Sequence, residues 1–166
     1  KKVTIDLAGK VISSNNFELF QVESNWDLTI TGNGKINGPA NGEAFDSKSL
    51  ITVDGWKLTI EDGTLTATWA WSDGMYGVYV LNSGTAVFGK ADGTWPTINA
   101  WFAASWTNNT TAPANITVYG GTYTAGANPG TASTWWSYFC APIYAAAAWD
   151  FDIKWWNYFK RRKIII

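Results

Sequence analysis

Residues 27–38 read Asp-Leu-Thr-Ile-Thr-Gly-Asn-Gly-Lys-Ile-Asn-Gly, and this stretch carries the pattern that decides the fold. Its opening residues alternate polar and apolar side chains, which is the period-two pattern of a strand with one face buried. The Gly and Asn residues that follow predict a bend in the chain. The stretch therefore predicts a short strand that ends in a turn.

The same phrase recurs along the chain, so the strands form a repeat. Its copies lie at residues 3–7, 57–61, 115–119 and 150–154, with a weaker copy at 85–89. Leu28, Leu58, Ala86 and Ile116 follow one another at steps of 30, 28 and 30 residues, and Phe151 follows after 35. A second strand closes each unit, at residues 19–22, 50–53, 77–80, 102–104 and 139–141.

Short strands at a fixed period, each unable to bury its apolar face alone, predict a solenoid whose turns stack. We expect an all-β fold, a right-handed parallel β-helix (β-solenoid) of about six turns with roughly 25–35 residues each. Residues 1–159 form a single domain in this interpretation. Residues 160–166 form a basic and apolar tail, which begins Lys-Arg-Arg-Lys and ends in three Ile.

The repeated phrases resemble those of the right-handed parallel β-helix of the pectin-lyase-like proteins. The resemblance is strongest at residues 28–38, 57–67 and 115–125, and it covers residues 3–159. Such phrases are typical of repeat regions in bacterial surface adhesins and of phage tail-spike shafts. The resemblance implies an extracellular or cell-surface location. It is specific for the fold and weak for activity, because this architecture hosts lyases, hydrolases and inert stalks.

Composition excludes several classes of function. The 166 residues contain no His and one Cys, Cys140. These counts exclude imidazole general bases, Ser-His-Asp triads, intrachain disulfides, Fe–S clusters and thiolate zinc sites. A net charge of -1 argues against a nucleic-acid partner, and no apolar run approaches the length of a membrane span. We therefore expect no cofactor, no metal, no nucleic-acid partner and no membrane span.

The acidic residues predict no catalytic site. In the proteins that the chain resembles, lyases combine Ca²⁺-binding Asp clusters with an Arg or Lys base, and hydrolases use paired Asp. Here Arg161 and Arg162, which are the chain's two Arg residues, lie in the tail. Stacking of turns would allow Asp62, Asp73 and Asp92 to converge, but turn hydrogen bonds explain such loop residues as well.

Twelve Trp residues are the unusual feature of the composition. The turns can be aligned on the first apolar residue of each repeated strand. The residues two positions before it then form one column: Trp26, Trp56, Gly84, Ala114 and Trp149. Exposed Trp in such a column would stack on sugar rings. Alternatively, the Trp pack within the column or between subunits. A third interpretation is that the sequence is engineered or inferred from a density map, because Gly-like bend positions often need a positive φ that Trp adopts at a steric cost.

These observations lead to one main hypothesis and two alternatives. The main one is a non-enzymatic structural or adhesive module of an extracellular surface protein or filament. No polar cap is visible at residues 3–7 or 164–166, which predicts a fragment of a longer protein or self-association through open solenoid ends. The first alternative is a module that binds or cleaves polysaccharide, with Trp56, Trp69, Trp71 and Asp73 as the carbohydrate-binding residues. The second is a scaffold or map-derived sequence without assignable function.

Overall fold

A computed structural model of the chain describes residues 1–15, 18–23, 25–38, 49–67, 76–100, 102–106, 114–125, 143–145 and 151–153. Every regular element in these residues is a β-strand. In chain order the strands are β1 Lys2–Asp6, β2 Val11–Ser13, β3 Phe20–Val22, β4 Asp27–Thr31, β5 Lys35–Asn37, β6 Ser49–Asp54, β7 Lys57–Ile60, β8 Thr64–Ala67, β9 Tyr76–Leu81, β10 Thr85–Phe88, β11 Thr97–Ala100, β12 Phe102–Trp106, β13 Asn115–Val118, β14 Thr122–Ala125, β15 Ile143–Ala145 and β16 Phe151–Ile153.

Three parallel sheets run along the molecule, and successive strands visit them in turn. Within the described residues, sheet A has the order β1-β4-β7-β10-β13-β16, sheet B the order β2-β5-β8-β11-β14 and sheet C the order β3-β6-β9-β12-β15. Each coil contributes one strand to each sheet, so the chain is a parallel β-solenoid. The expectation was about six turns; the described strands number six in sheet A and five in each of sheets B and C.

The register between coils follows the spacing of the repeat. Leu28 pairs with Leu58, Leu58 with Ala86, and Ala86 with Ile116, as the steps of 28 to 30 residues predicted. Ile116 pairs with Phe151 across the longer step of 35 residues. The extra residues are therefore accommodated outside sheet A, and the sheet continues without a change of register.

The core is a continuous apolar column inside the coils. It forms because alternate residues of every strand point inward, and the inward residues of one coil lie on those of the next. Ile30, Ile36, Leu58 and Leu65 are fully buried. Burial of a Leu or Ile side chain stabilises the fold by roughly 1.5–3 kcal/mol, so the stack of coils carries the stability of the molecule.

Glycine is required where the chain turns from sheet A to sheet B. Gly63 has a φ of +93°, which side-chain-bearing residues rarely adopt. At Gly34 a Cβ atom would lie 2.4 Å from the Lys10 carbonyl oxygen and 2.5 Å from the Leu7 Cβ. This corner is therefore tight because two coils approach each other closely, and only a residue without a side chain fits there.

The structure corrects the predicted number of strands in a repeat. The repeat predicted two strands in each unit, and the described coils contain three, because the residues after the glycine bend form sheet B. The closing strands predicted at residues 19–22, 50–53, 77–80 and 102–104 are confirmed as β3, β6, β9 and β12. The predicted strand at 139–141 and the tail at 160–166 lie outside the described residues, and the strand that pairs with β12 is β15.

Candidate functional site

The corner between sheets C and A carries the exposed part of the Trp column. Trp26 precedes β4 and Trp56 precedes β7, and these two strands pair in register. The Trp26 and Trp56 side chains are 41% and 38% exposed. Because neighbouring coils of a parallel sheet stand about 4.8 Å apart, the two indoles occupy adjacent levels of the stack.

Charged side chains surround this Trp pair. The Lys1 Nζ lies 4.8 Å from the centroid of the Trp26 ring, within the range of a cation–π interaction. Register places Asp27 beside both Lys2 and Lys57 on the outer face of sheet A. The corner therefore offers aromatic faces together with charges of both signs, which suits a polar ligand with apolar C–H faces.

Within the described residues, the exposed part of the column ends after two coils. Gly84 and Ala114 follow Trp56 in the stack and both are buried. A Cβ at Gly84 would lie 2.7 Å from the Leu81 carbonyl oxygen and 2.9 Å from the Val53 carbonyl oxygen. No side chain fits at that level, so the described aromatic surface consists of Trp26 and Trp56. Trp149 lies outside the described residues.

The expected backbone strain at the Trp column is wrong for the residues that the structure describes. Neither Trp26 nor Trp56 has a positive φ. The left-handed residue is the one before each column position: Asn25 with φ 74°, Gly55 with φ 70° and Ser83 with φ 63°. The bend is completed before the column begins, so a Trp side chain is accommodated there without a steric cost to the backbone.

Trp95 illustrates the packing interpretation. A Cβ at Gly120 would lie 2.4 Å from the Trp95 Cε2, so the indole of Trp95 covers the backbone of the next coil at that glycine. The Trp residues of this chain therefore serve at least two purposes. Trp95 packs between coils, whereas Trp26 and Trp56 face solvent.

Only one of the four predicted carbohydrate-binding residues can be placed. Trp56 lies in the exposed corner described above. Trp69, Trp71 and Asp73 lie outside the described residues, so their distance from Trp56 stays a prediction. Trp26, which was not among the predicted carbohydrate-binding residues, is a second exposed Trp at the same corner as Trp56. The sequence signal for this pair was the column of residues two positions before each sheet A strand.

The loop carboxylates make turn hydrogen bonds. The Asp62 Oδ1 accepts a hydrogen bond from the Gly63 N–H at 2.7 Å, and the Asp92 Oδ1 accepts one from the Thr94 N–H at 3.0 Å. The hydrogen bond from Thr94 lowers the pKa of Asp92, which is opposite to the raised pKa of a catalytic general acid. Asp73 lies outside the described residues.

An ion pair between Lys90 and Glu61 joins two neighbouring coils beside these turns. The Lys90 Nζ lies 2.8 Å from the Glu61 Oε2, and this hydrogen bond raises the pKa of Lys90. In the part of the chain that the structure describes, no group of three or more His, Cys, Asp or Glu side chains converges in a way that would hold a metal ion. The same residues include no helix that would cross a membrane.

The outer face of sheet B is a surface that the sequence pattern did not predict. Its strands point alternate residues outward in two parallel rows, which follow from the register of the five strands. One row contains Val11, Lys35, Thr64, Thr97 and Thr122, and the other contains Ser13, Asn37, Thr66, Asn99 and Thr124. The signal was present in the phrases Thr-Leu-Thr, Thr-Ile-Asn and Thr-Tyr-Thr, which begin at residues 64, 97 and 122.

Comparisons with protein-family models, with curated proteins and with solved structures find no match to this chain. The resemblance to parallel β-helix proteins therefore stands on the fold, which the stacked parallel sheets support.

Proposed function

We propose that this chain is a non-enzymatic structural or adhesive β-solenoid module of an extracellular surface protein or filament, and that its copies stack end to end. The observation that carries the proposal is the uncovered apolar end of the coil stack. The extracellular location and the adhesive role rest on the resemblance of the repeats to surface adhesins and tail-spike shafts.

The first coil leaves its inward row partly uncovered. Val3 is 38% exposed, whereas Leu28, its partner in the next coil, is 7% exposed. Ile5 and Ile12 of the same coil are partly exposed, in contrast to the fully buried Ile30 with which Ile5 pairs. Another coil laid on this end would bury these side chains, as each coil does for its neighbour in the rest of the stack.

The backbone at this end also favours continuation. β1, β2 and β3 are the edge strands of sheets A, B and C at one end of their strand orders, so each presents a row of backbone groups to an added parallel strand. In the proposal the added coil belongs to a second copy of the chain. Such a head-to-tail contact joins two different surfaces and, when it does not close, produces an open filament.

The experiment measures particle length against protein concentration by sedimentation velocity and negative-stain electron microscopy. We expect polymers that lengthen with concentration. Val3→Asp places a charge in the uncovered inward row and should reduce association at least about tenfold. Val11→Asp is the matched control, because Val11 lies in the same coil, is 57% exposed and points outward from sheet B.

The proposal fails if the protein stays monomeric at all concentrations, or if the two variants weaken association equally. Circular dichroism of both variants separates a loss of association from a loss of fold. A monomeric wild-type protein with native circular dichroism would leave the solenoid intact and remove the stacking.

A second candidate function is polysaccharide binding at the corner between sheets C and A, favoured by the two exposed indoles of Trp26 and Trp56. Tryptophan fluorescence titrated with soluble neutral and acidic polysaccharides tests it, together with an assay for released sugars. Trp26→Ala and Trp56→Ala should each weaken binding about tenfold, while Val11→Ala on the neighbouring sheet should not. Titrations without a response at any polysaccharide would dispose of this candidate.

A further inference from the structure

The outer face of sheet B carries a repeating array of small polar side chains, and we infer that this face binds ice. We call this surface the hydroxyl array; it comprises the outward residues of β8, β11 and β14, namely Thr64, Thr66, Thr97, Asn99, Thr122 and Thr124. The inference is independent of the proposed structural role, because it concerns the side of the solenoid and not its end.

The array is regular in two directions. Thr64 pairs with Thr97, and Thr97 pairs with Thr122, so three Thr residues stand in direct register on consecutive coils. Thr66 and Thr124 flank Asn99 in the second row. A ligand that is itself periodic can contact every one of these positions at once, whereas a small molecule contacts only a few of them.

The spacing of the array is close to that of tetrahedrally linked water. Strands of a parallel sheet stand about 4.8 Å apart, and residues two positions apart on one strand lie roughly 6.6 Å apart. Water molecules joined by hydrogen bonds of about 2.75 Å place second-neighbour oxygens about 4.5 Å apart in ice, with a stacking repeat of about 7.3 Å. The spacing of the side chains across the strands is close to that of the second-neighbour oxygens, and the spacing along the strands is within about a tenth of the stacking repeat. Side-chain torsions of partly exposed residues can adjust to these differences.

Charge separates this face from the outer face of sheet A. The described outward positions of sheet A include four charged residues, namely Lys2, Asp6, Asp27 and Lys57. Among the described outward positions of sheet B, Lys35 is the charged one. Ionic groups order water around themselves in their own geometry, so a neutral face complements a neutral, hydrogen-bonded lattice.

Strand propensity alone does not explain the array. Thr favours strands because its branched side chain packs well on a pleated surface, and that preference acts equally on sheets A and B. It does not account for the difference in charge between them. The branched Thr side chain also has few rotamers, so little conformational entropy is lost when an array of Thr becomes ordered against a lattice.

The experiment measures ice-recrystallisation inhibition and thermal hysteresis with the purified chain, and ice is the probe. The test variant carries Thr64→Lys and Thr97→Lys together, which places two charges on neighbouring coils of the hydroxyl array. The matched control carries Thr29→Lys and Thr59→Lys, which are likewise register partners on neighbouring coils, but on sheet A. All four residues are partly exposed, so the two variants perturb the fold to a similar degree.

We expect the wild-type protein and the sheet A variant to inhibit recrystallisation at the same concentration. The sheet B variant should need at least about tenfold more protein, the change that corresponds to losing one or two net hydrogen bonds. Circular dichroism confirms that each variant is folded. A folded wild-type protein that leaves ice growth unchanged overturns the inference, as does an equal loss in both variants.

A third result also overturns it. If microcrystalline cellulose or chitin captures the wild-type protein while ice growth is unchanged, the periodic ligand of this face is a crystalline polysaccharide and not ice.

Discussion

The inner and outer rows of sheet B are formed by the same strands, one residue apart, yet they differ in burial and in the type of residue. The inner row contains Ile36, Leu65 and Ile98, which are fully buried. The outer row contains Thr64 and Thr97, which are partly exposed. Volume and apolarity decide the inner row because each side chain must fill the space between two coils. The outer row is free of that requirement, so its repeated Thr calls for an explanation other than packing.

Replacement of an inner-row residue should have the largest effect on stability. Leu65→Ala removes a fully buried side chain from the middle of the column. We expect a loss of about 2–5 kcal/mol in the free energy of unfolding, because a cavity remains between neighbouring coils. Urea denaturation followed by circular dichroism measures it. A loss no larger than that of an outer-row variant would remove the distinction between the rows.

A substitution at the corner between sheets A and B should cost less than one in the inner row. Gly34→Ala forces a Cβ against the Lys10 carbonyl oxygen and the Leu7 Cβ, so we expect a loss of about 1–3 kcal/mol from overpacking. Gly93→Ala is the control: no atom lies within 4 Å of the added Cβ there, and only its φ of +97° opposes the change. A larger loss at Gly93 than at Gly34 would show that backbone conformation, and not contact between coils, governs the corners.

The exposed ion pair between Glu61 and Lys90 should contribute a smaller, pH-dependent stabilisation. The hydrogen bond to Glu61 raises the pKa of Lys90 above its ordinary value of 10.5. This contribution is therefore fully present below pH 10.5 and is lost as the pH rises through the raised pKa. Thermal unfolding between neutral pH and the alkaline range measures it, with Lys90→Gln as the control, which should lack this part of the pH dependence.

The smallest effect on stability is expected in the outer row. Thr64→Val keeps the branched shape and removes only the hydroxyl, so the free energy of unfolding should change by less than about 0.5 kcal/mol. The comparison with Leu65→Ala is direct because the two residues are neighbours on β8. A destabilisation above that value would mean that the outer row supports the fold, and its repetition would then need no ligand.

Sheet A could be predicted from the sequence because two independent patterns agree there. Period-two alternation marked each strand, and steps of 28 to 30 residues set the register that Leu58 makes with Leu28 and Ala86. Sheet B was not predicted as a separate sheet because its strands follow those of sheet A after a short bend. β7 ends at Ile60 and β8 begins at Thr64, so the sequence pattern placed both in one strand-and-bend unit.

The candidate site was predictable only in part. The column of Trp26, Trp56, Gly84 and Ala114 followed from the repeat, and its register is confirmed. Its backbone conformation was not predictable, because which residue of a bend takes the positive φ depends on how the turn closes. That residue is Asn25 before Trp26 and Gly55 before Trp56, and not the Trp itself.

The sequence by itself determined the fold class and the stacking of equivalent apolar residues in successive coils. The reason is that a repeat that buries one face of each strand has few other ways to remove apolar surface from water. Only the tertiary structure decided which residues share a surface. The coil divides into three sheets at its bends, so Thr64 and Thr97, which are 33 positions apart in the chain, become neighbours on a nearly uncharged face. Trp26 and Trp56 lie on adjacent coils at the corner between sheets C and A for the same reason. The register between coils, and not the distance along the chain, decides which residues become neighbours.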